Sequence, residues 1–239
     1  MATTDAPPTR GDRTRAAILS AASHHLAEHG LEGTRGAQVA ADADVSEATV
    51  WFHFGTKAGL LVAVMHDYYA RLVADIGEVV EAADSPRGRL EAFARFWLER
   101  MAGDLPLVGE FERHGRSGHD PEVVAAFAAS NRLVTRGFER LVEDLVATGD
   151  VRGDLPTWIV RDTFFGTAEH LIVGRAVTGR DSDLVASATL LLDVLLHGVA
   201  RGPAVAPVPG EPAETATPSL AELDAKLDRV LAQVEHDGA

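Results

Sequence analysis

Residues that start or end α-helices recur throughout the chain, and their spacing limits its fold more than any other feature. Asp120-Pro121, for example, places a capping side chain before a proline at the first helical position, and Gly149 then ends the same helix. The strict alternation of apolar and polar residues that marks a half-buried strand does not continue over any useful length. The sequence therefore predicts an all-α fold.

Nine helices are expected before residue 202. Their predicted bounds, in chain order, are 10–29, 37–43, 47–53, 57–83, 86–103, 106–114, 121–149, 156–177 and 183–200. Residues 202–218 contain five prolines and are predicted to form a linker.

An extra amphipathic helix is predicted over residues 219–239. Its apolar positions follow heptad steps and are Leu220, Leu223, Leu227, Val230 and Val234. Three roles remain open for it: pairing across a dimer, packing on its own subunit, or binding another protein.

Composition excludes several classes of protein. The chain has no cysteine, which excludes a disulfide scaffold, a thiolate metal site and a cysteine nucleophile. No apolar run reaches the roughly 18 residues needed to cross a bilayer, and the first residues are polar rather than signal-like. We therefore expect a cytoplasmic protein with no membrane partner, whose 46% of apolar residues suffice for a large core.

The net charge of −14 argues against general coating of nucleic acid. Its distribution is more informative than its sum. Residues 1–60 contain 5 of the 22 basic and 7 of the 36 acidic residues, a net charge of only −2. A nucleic-acid contact is therefore expected to be local and to lie in the first quarter of the chain.

The two short helices predicted over 37–43 and 47–53 are close enough in sequence to form a helix-turn-helix. Small residues such as Ala40 and Ala43 allow the helices to cross closely, and Ser46 is suited to cap the second one. In this motif the second helix enters the major groove of DNA, and free N–H groups at helix starts face phosphates.

The segment Trp51-Phe52-His53-Phe54-Gly55-Thr56-Lys57 contains an aromatic residue, one further residue, His-Phe, two residues and Lys. Upstream matching positions are Arg15, Ile18, Leu19, Ala21, Ala22, Ala27, Glu28, Gly30, Thr34, Val39, Ala40, Ala43, Val45, Ser46 and Thr49, and Leu60 follows. This combination resembles the DNA-binding domain of the TetR family of bacterial repressors.

The resemblance implies two domains. Residues 1–60 would form a three-helix helix-turn-helix DNA-binding domain with a flexible arm at 1–9, and residues 61–201 a helical effector-binding and dimerisation domain. It also implies a homodimer, double-stranded DNA with a near-palindromic operator as a partner, and coupling of the two domains through helix 57–83.

Five positions depart from the usual family pattern. Asp44 replaces the glycine of the turn, Trp51 replaces a tyrosine, and Arg35-Gly36 replaces a threonine and an apolar residue. Asp tolerates left-handed backbone better than most residues, so the turn is expected to survive. Glu47 brings negative charge, which repels phosphates but is able to accept a hydrogen bond from a cytosine amine. These changes affect the operator sequence more than the fold.

The resemblance implies DNA contacts around the recognition helix. The expected DNA-binding residues are Thr34, Arg35, Ser46, Glu47, Ala48, Thr49, Trp51, His53 and Lys57. Glu47, Ala48 and Thr49 lie where base edges are read, and most of the others resemble phosphate-contacting positions. Phe54 is expected in the core, whereas Phe52 suits a core or a surface position equally.

The last two predicted helices carry more apolar surface than one core-facing stripe needs, notably Leu190-Leu191-Leu192 and Leu195-Leu196. Together with the resemblance, this pattern favours a dimer to which each subunit contributes two helices. A monomeric core is the alternative interpretation.

Aromatic residues with interspersed polar ones occur in predicted helices five to eight, as in a mostly apolar pocket. The expected ligand-binding residues are Phe93, Phe96, Trp97, Phe111, His114, Phe127, Asn131, Phe138, Phe165, Glu169 and His170. The run Arg161-Asp162-Thr163-Phe164-Phe165-Gly166-Thr167-Ala168-Glu169-His170-Leu171 resembles a segment of the fatty-acid and acyl-CoA-responsive branch of the family. The resemblance implies a small lipophilic effector, with a fatty acyl-CoA as the expected class, whereas other branches of the family use similar helices for drugs, steroids or antibiotics. For each aromatic residue taken alone, a place in the core is the favoured interpretation.

Other chemistry is sparse. His25 and His29 are four residues apart on one helix, but no third ligand has a fixed spacing from them, so neither metal nor cofactor is expected. No phosphate loop, nucleophile elbow or paired-carboxylate motif points to an enzyme. The preferred interpretation is a dimeric repressor that its effector releases from DNA. The alternative is a small-molecule sensor with a degenerate DNA-binding unit, acting through protein partners.

Overall fold

The computed structural model describes residues 9–154, 156–179 and 183–198. Within these ranges the chain forms nine α-helices and no strand, which confirms the all-α prediction. In chain order they are α1 (Arg10–Gly33), α2 (Gly36–Asp42), α3 (Glu47–Phe54), α4 (Lys57–Glu81), α5 (Pro86–Gly103), α6 (Leu105–Arg116), α7 (Pro121–Thr148), α8 (Thr157–Thr178) and α9 (Leu184–Gly198). The predicted linker, the predicted C-terminal helix and most of the predicted N-terminal arm lie outside the described residues.

The end of α1 differs most from its predicted bound. Gly30, the expected stop, is a kink with φ 67° and ψ 177°, a combination essentially restricted to glycine. Helical structure then resumes and continues to Gly33. The local sequence does not predict this extension, because a side chain of α6 contacts the backbone just after the kink.

Side-chain caps define the helix starts. The Ser46 hydroxyl accepts a hydrogen bond from the Thr49 N–H at 3.1 Å, and the Thr56 hydroxyl accepts one from the Gly59 N–H at 3.0 Å. Side chains cap the starts of α5 and α7 in the same way. Each cap pairs a backbone donor that the helix leaves without a partner and contributes about 1 kcal/mol.

The turn between α2 and α3 has the expected left-handed residue. Asp44 adopts φ 53°, and the Val45 N–H donates to the Ala40 carbonyl at 3.0 Å. Val39 and Val50 are fully buried where the two helices meet. The turn therefore holds α3 at a defined angle to α2, as a helix-turn-helix requires.

Helix α4 connects the helix-turn-helix to the rest of the chain. It starts directly after α3, crosses the predicted boundary at residue 60, and packs against α1, α5 and α7. Its Tyr68 and Tyr69 rings contact Phe111 of α6, with centroids 5.6 and 6.2 Å apart. The Tyr68 hydroxyl also donates to Asp104, at the α5–α6 junction, at 3.0 Å. Burial raises the pKa of both tyrosine hydroxyls, so they stay protonated.

An aromatic cluster fills the core between α5, α7 and α8. Phe138 stacks on Phe164 with ring centroids 4.7 Å apart, and Phe93 packs against both rings. All three side chains are almost completely buried. Phe54 is also buried, as expected, whereas Phe52 is 86% exposed.

No single helix of the described residues is long and apolar enough to cross a membrane. The pair Glu47–Phe54 and Lys57–Glu81 passes that test only when its two members are taken together, and it is bent by 71°.

The conformation of Asp44 predicts a contrast between two substitutions. Asp44→Val should lower the free energy of unfolding by about 1–2 kcal/mol, because a β-branched residue fits left-handed backbone poorly. Asp44→Gly should leave stability unchanged or raise it slightly. Urea unfolding of the two variants checks this, and equal midpoints for them would contradict the assignment.

Candidate DNA-recognition surface and effector cavity

Helix α3 presents one face to solvent and the other to the core. Val50 and Phe54 are buried against the preceding helices. Glu47, Ala48 and Phe52 are exposed. Of the expected base-reading residues, Glu47 and Ala48 are therefore exposed and Thr49 is half-buried. They lie on the second helix of a helix-turn-helix, which is the helix that enters the major groove in this motif.

Three departures from the family pattern are in contact with one another. The Trp51 indole N–H donates to Glu47 Oε1 at 3.1 Å. A Cβ atom on Gly36 would clash with the Trp51 ring and would lie 2.7 Å from Glu47 Oε1. Gly36 therefore leaves the space that the larger Trp51 ring occupies, and Glu47 orients that ring.

The remaining expected DNA-binding residues lie around the junction of α1, α2 and α4. Thr34 is buried and its hydroxyl donates to the Gly30 carbonyl at 2.7 Å. Arg35 is exposed at the N-cap position of α2. The Lys57 ammonium donates to the carbonyls of Leu31 and Glu32, at 3.3 and 3.1 Å. Lys57 thus joins the start of α4 to the end of α1, in addition to its expected role at a phosphate.

The histidines of α1 have structural contacts. His25 is buried, and its Nε2 lies 2.8 Å from Asp42 Oδ2, which joins α1 to the end of α2. Over the three described ranges, no group of three or more His, Asp or Glu side chains is placed to hold a metal ion.

Glu110 of α6 is a buried carboxylate that contacts the kink in α1. Only 5% of the residue is exposed, and its Oε2 accepts a hydrogen bond from the Leu31 N–H at 2.9 Å. Arg113 Nη1 lies 2.8 Å from Oε1, and His114 Nε2 lies 3.4 Å from Oε2. A charge buried to this degree requires such partners, because an uncompensated one costs several kcal/mol. Helix α6 is thereby attached to the end of α1, next to the helix-turn-helix.

A cavity of about 530 Å³ lies between α5, α6, α7 and α8. Its lining residues are Trp97, Met101, Leu105, Val108, Glu112, Gly115, Arg116, Val124, Phe127, Ala128, Asn131, Arg132, Thr135, Arg161, Asp162, Phe165, Glu169, Ile172 and Val173. This volume lies within the range of about 300–1,000 Å³ that is usual for small-molecule sites.

The cavity brings together five of the eleven expected ligand-binding residues, namely Trp97, Phe127, Asn131, Phe165 and Glu169. The other six do not line it, and they are Phe93, Phe96, Phe111, His114, Phe138 and His170. Phe93, Phe111 and Phe138 are buried in the aromatic packing described above, and His114 faces Glu110.

The cavity is lined by charged side chains as well as by apolar ones. Arg116 Nη2 lies 3.4 Å from Glu112 and 3.5 Å from Glu169. Arg161 Nη1 lies 2.8 Å from Glu139. Burial raises the pKa of Glu112, and Glu169 raises it further, while Arg116 acts in the opposite direction. The cavity thus combines apolar side chains with three arginines, Arg116, Arg132 and Arg161, and three carboxylates, Glu112, Asp162 and Glu169.

Comparison with known proteins identifies the family. Residues 18–64 match the sequence profile described as "Bacterial regulatory proteins, tetR family". The chain is 39% identical over 164 residues to the HTH-type transcriptional regulator BetI of Burkholderia mallei (strain NCTC 10229), an alignment covering 59% of this chain and 83% of that protein. The chain belongs to the TetR family of bacterial regulatory proteins.

Other TetR-family relatives are more distant in sequence. The fatty acid metabolism regulator protein of Bacillus subtilis (strain 168) is 19% identical over 188 residues, covering 76% of this chain and 93% of that protein. The structure of the transcriptional regulator FadR from Bacillus subtilis in complex with stearoyl-CoA has a TM-score of 0.66 at 18% identity, covering 77% of this chain and 98% of that one. This structural likeness establishes a shared fold.

Membership of the TetR family confirms that the chain is a DNA-binding transcriptional regulator with a helix-turn-helix, and not an enzyme. Sequence patterns missed several charged residues of the cavity, including Glu112, Arg116 and Arg161. The spacing of Glu112 and Arg116, four residues apart, is equally typical of an exposed helix face, so it did not indicate a cavity.

The contact of Gly36 with Trp51 predicts a loss of DNA binding on substitution. Gly36→Ala should displace the Trp51 ring, because overpacking of this kind costs about 1–3 kcal/mol. Operator affinity, measured by fluorescence anisotropy, should fall by roughly tenfold or more. Gly77→Ala in α4 is the matched control, since a Cβ there meets nothing within 4 Å. Equal affinities for the two variants would contradict the assigned contact.

Proposed function

We propose that the chain is a homodimeric repressor that binds a near-palindromic operator and is released from it by a fatty acyl-CoA. The observation that carries this proposal is the position of α6. One side of α6 lines the cavity through residues such as Val108 and Glu112. The other side binds the kink of α1 through Glu110.

The lining of the cavity suits an acyl thioester. Trp97, Phe127 and Phe165 provide aromatic surface for a long apolar chain. Arg116 and Arg132 provide positive charge for the phosphates of a nucleotide head group. The contacts of Arg116 with Glu112 and Glu169 are long, at 3.4 and 3.5 Å, so a phosphate competes well for this guanidinium.

The relatives support this choice of effector. One of them is named for the regulation of fatty acid metabolism, and one structure of the same fold was determined with stearoyl-CoA. We extend that ligand class to this chain because the cavity has both an apolar interior and arginines.

An exposed apolar face supports the dimer. Val177 of α8 and Leu190 and Val194 of α9 are 79%, 66% and 63% exposed. Large apolar side chains concentrated on two adjacent helices are typical of a protein interface. A two-fold pair formed by α8 and α9 would present two recognition helices to half-sites about 34 Å apart.

The domain assignment follows the same division. We propose that residues 1–60 bind DNA and that residues 61–201 hold the effector and the dimer interface. We propose that the exposed Arg35 and the half-buried Thr49 and His53 contact the DNA. Effector binding would move α6 and change the orientation of α1 through Glu110. A coupling free energy of about 1–3 kcal/mol is typical of such regulation.

A cavity-filling substitution tests the effector site. Ala128→Trp on α7 should block acyl-CoA binding and leave operator binding intact, because Ala128 lines the cavity. Ala129→Trp is the matched control, since the neighbouring residue is exposed and does not line it. The operator is first selected from a random duplex library with the full chain. Release of that duplex by palmitoyl-CoA is then titrated for each variant.

The outcomes of this test are distinct. Enrichment of a palindrome, with release in the wild type and in Ala129→Trp only, supports the proposal. Release from Ala128→Trp as well would contradict the assigned cavity. Failure to enrich any duplex would contradict the repressor function and favour a sensor that acts through protein partners.

The Glu110 contact predicts a separate loss of coupling. Glu110→Ala removes the acceptor for the Leu31 N–H, so operator affinity with and without palmitoyl-CoA should differ less than in the wild type. Arg113→Ala is the control, because it removes an exposed partner of Glu110 and keeps the contact with α1. Isothermal titration gives the effector affinity of each variant. An unchanged affinity ratio in Glu110→Ala would show that coupling takes another route.

A further inference from the structure

The side chain of Phe52 is the most exposed large apolar group in the described ranges, at 86%. Its neighbours on α3 are placed differently, since Trp51 is half-buried and Phe54 is 9% exposed. Its ring contacts that of His53 edge-on, with centroids 5.6 Å apart. Phe52 therefore contributes little to the core of the free protein.

Phe52 is one turn from a second exposed apolar residue. Ala48 precedes it by four residues on the same helix, so the two side chains lie on one face. Val50 and Phe54 occupy the opposite, buried face. The exposed face of α3 thus carries an apolar stripe formed by Ala48 and Phe52.

Polar side chains lie on both sides of this apolar stripe. Thr49 and His53 follow its two members along the helix, and Glu47 with Trp51 precedes them. The Glu47 carboxylate is engaged by the Trp51 N–H at 3.1 Å. The centre of the recognition face is therefore apolar, although its borders are able to form hydrogen bonds.

The major groove of DNA offers one apolar group to such a stripe, the C5-methyl group of thymine. The DNA-binding role of the family places α3 in this groove. We propose that Phe52, together with Ala48, recognises thymine by contact with its 5-methyl group, and that Phe52 is a specificity-determining residue. This inference rests on the proposed operator binding and adds the base that the operator half-site contains.

The test removes the methyl group without changing base pairing. Each thymine of the selected operator is replaced in turn by 2′-deoxyuridine, and affinity for the full-length protein is measured at constant salt. At one or more positions in each half-site, wild-type affinity should fall about three- to fivefold, as expected for the loss of one buried methyl group. In Phe52→Ala, the thymine duplex should bind more weakly, and the same replacement should have a clearly smaller effect than in the wild type, because only Ala48 remains.

Two further variants exclude simpler explanations. Phe52→Leu keeps an apolar side chain and should retain part of the methyl preference. Leu133→Ala removes a different exposed apolar side chain, 57% exposed on α7, and should retain the full preference. Thermal unfolding should be nearly unchanged in Phe52→Ala, because so little of the side chain is buried.

The results separate this inference from the proposed function. An operator that is bound and released by effector, but is insensitive to deoxyuridine at every position, would overturn the methyl contact alone. A methyl preference that persists undiminished in Phe52→Ala would assign it to another residue and overturn the role of Phe52. If no duplex is selected, both proposals fail.

Discussion

The attachment of Glu110 to the kink of α1 connects α6, which lines the cavity, to the helix that precedes the helix-turn-helix. A buried carboxylate is stable only with close partners, and Glu110 finds them in the Leu31 N–H, Arg113 and His114. Gly30 makes this contact possible, because its backbone conformation turns the chain so that the Leu31 N–H faces α6. The position of the DNA-binding end of the chain thus depends on where α6 lies.

Helix α6 has a second set of contacts on its cavity side. Glu112 and Arg116 line the cavity, while Phe111 packs against Tyr68 and Tyr69 of α4. Close-packed protein interiors transmit displacements instead of absorbing them. A ligand that moves α6 therefore affects both α1, through Glu110, and α4, through the aromatic contacts. Under the proposed function, regulation therefore requires no direct contact between effector and DNA.

The recognition helix shows how apparently separate sequence changes act together. Gly36, Glu47 and Trp51 each depart from the family pattern, and the structure places them in mutual contact. The large ring of Trp51 fits only because Gly36 has no side chain, and Glu47 accepts a hydrogen bond from the indole N–H of that ring. The carboxylate is therefore not a simple source of repulsion toward DNA. The carboxylate is engaged by the Trp51 N–H, and the centre of the exposed face of α3 is formed by the apolar side chains of Ala48 and Phe52.

The sequence by itself determined the helices and the helix-turn-helix, because helix caps, first-turn prolines and a turn residue such as Asp44 affect only the backbone within a few residues. Tertiary structure decided which of the expected residues line the cavity and which pack elsewhere. Glu110 binds a backbone group 79 residues away, and the cavity takes its lining from four helices. The sequence places Phe93, Trp97, Phe138 and Phe165 in predicted helices as candidate pocket residues. Only the packing shows that the rings of Phe93 and Phe138 fill the core while Trp97 and Phe165 border the cavity. An apolar side chain gains similar free energy from burial in either place, so the sequence by itself does not distinguish them.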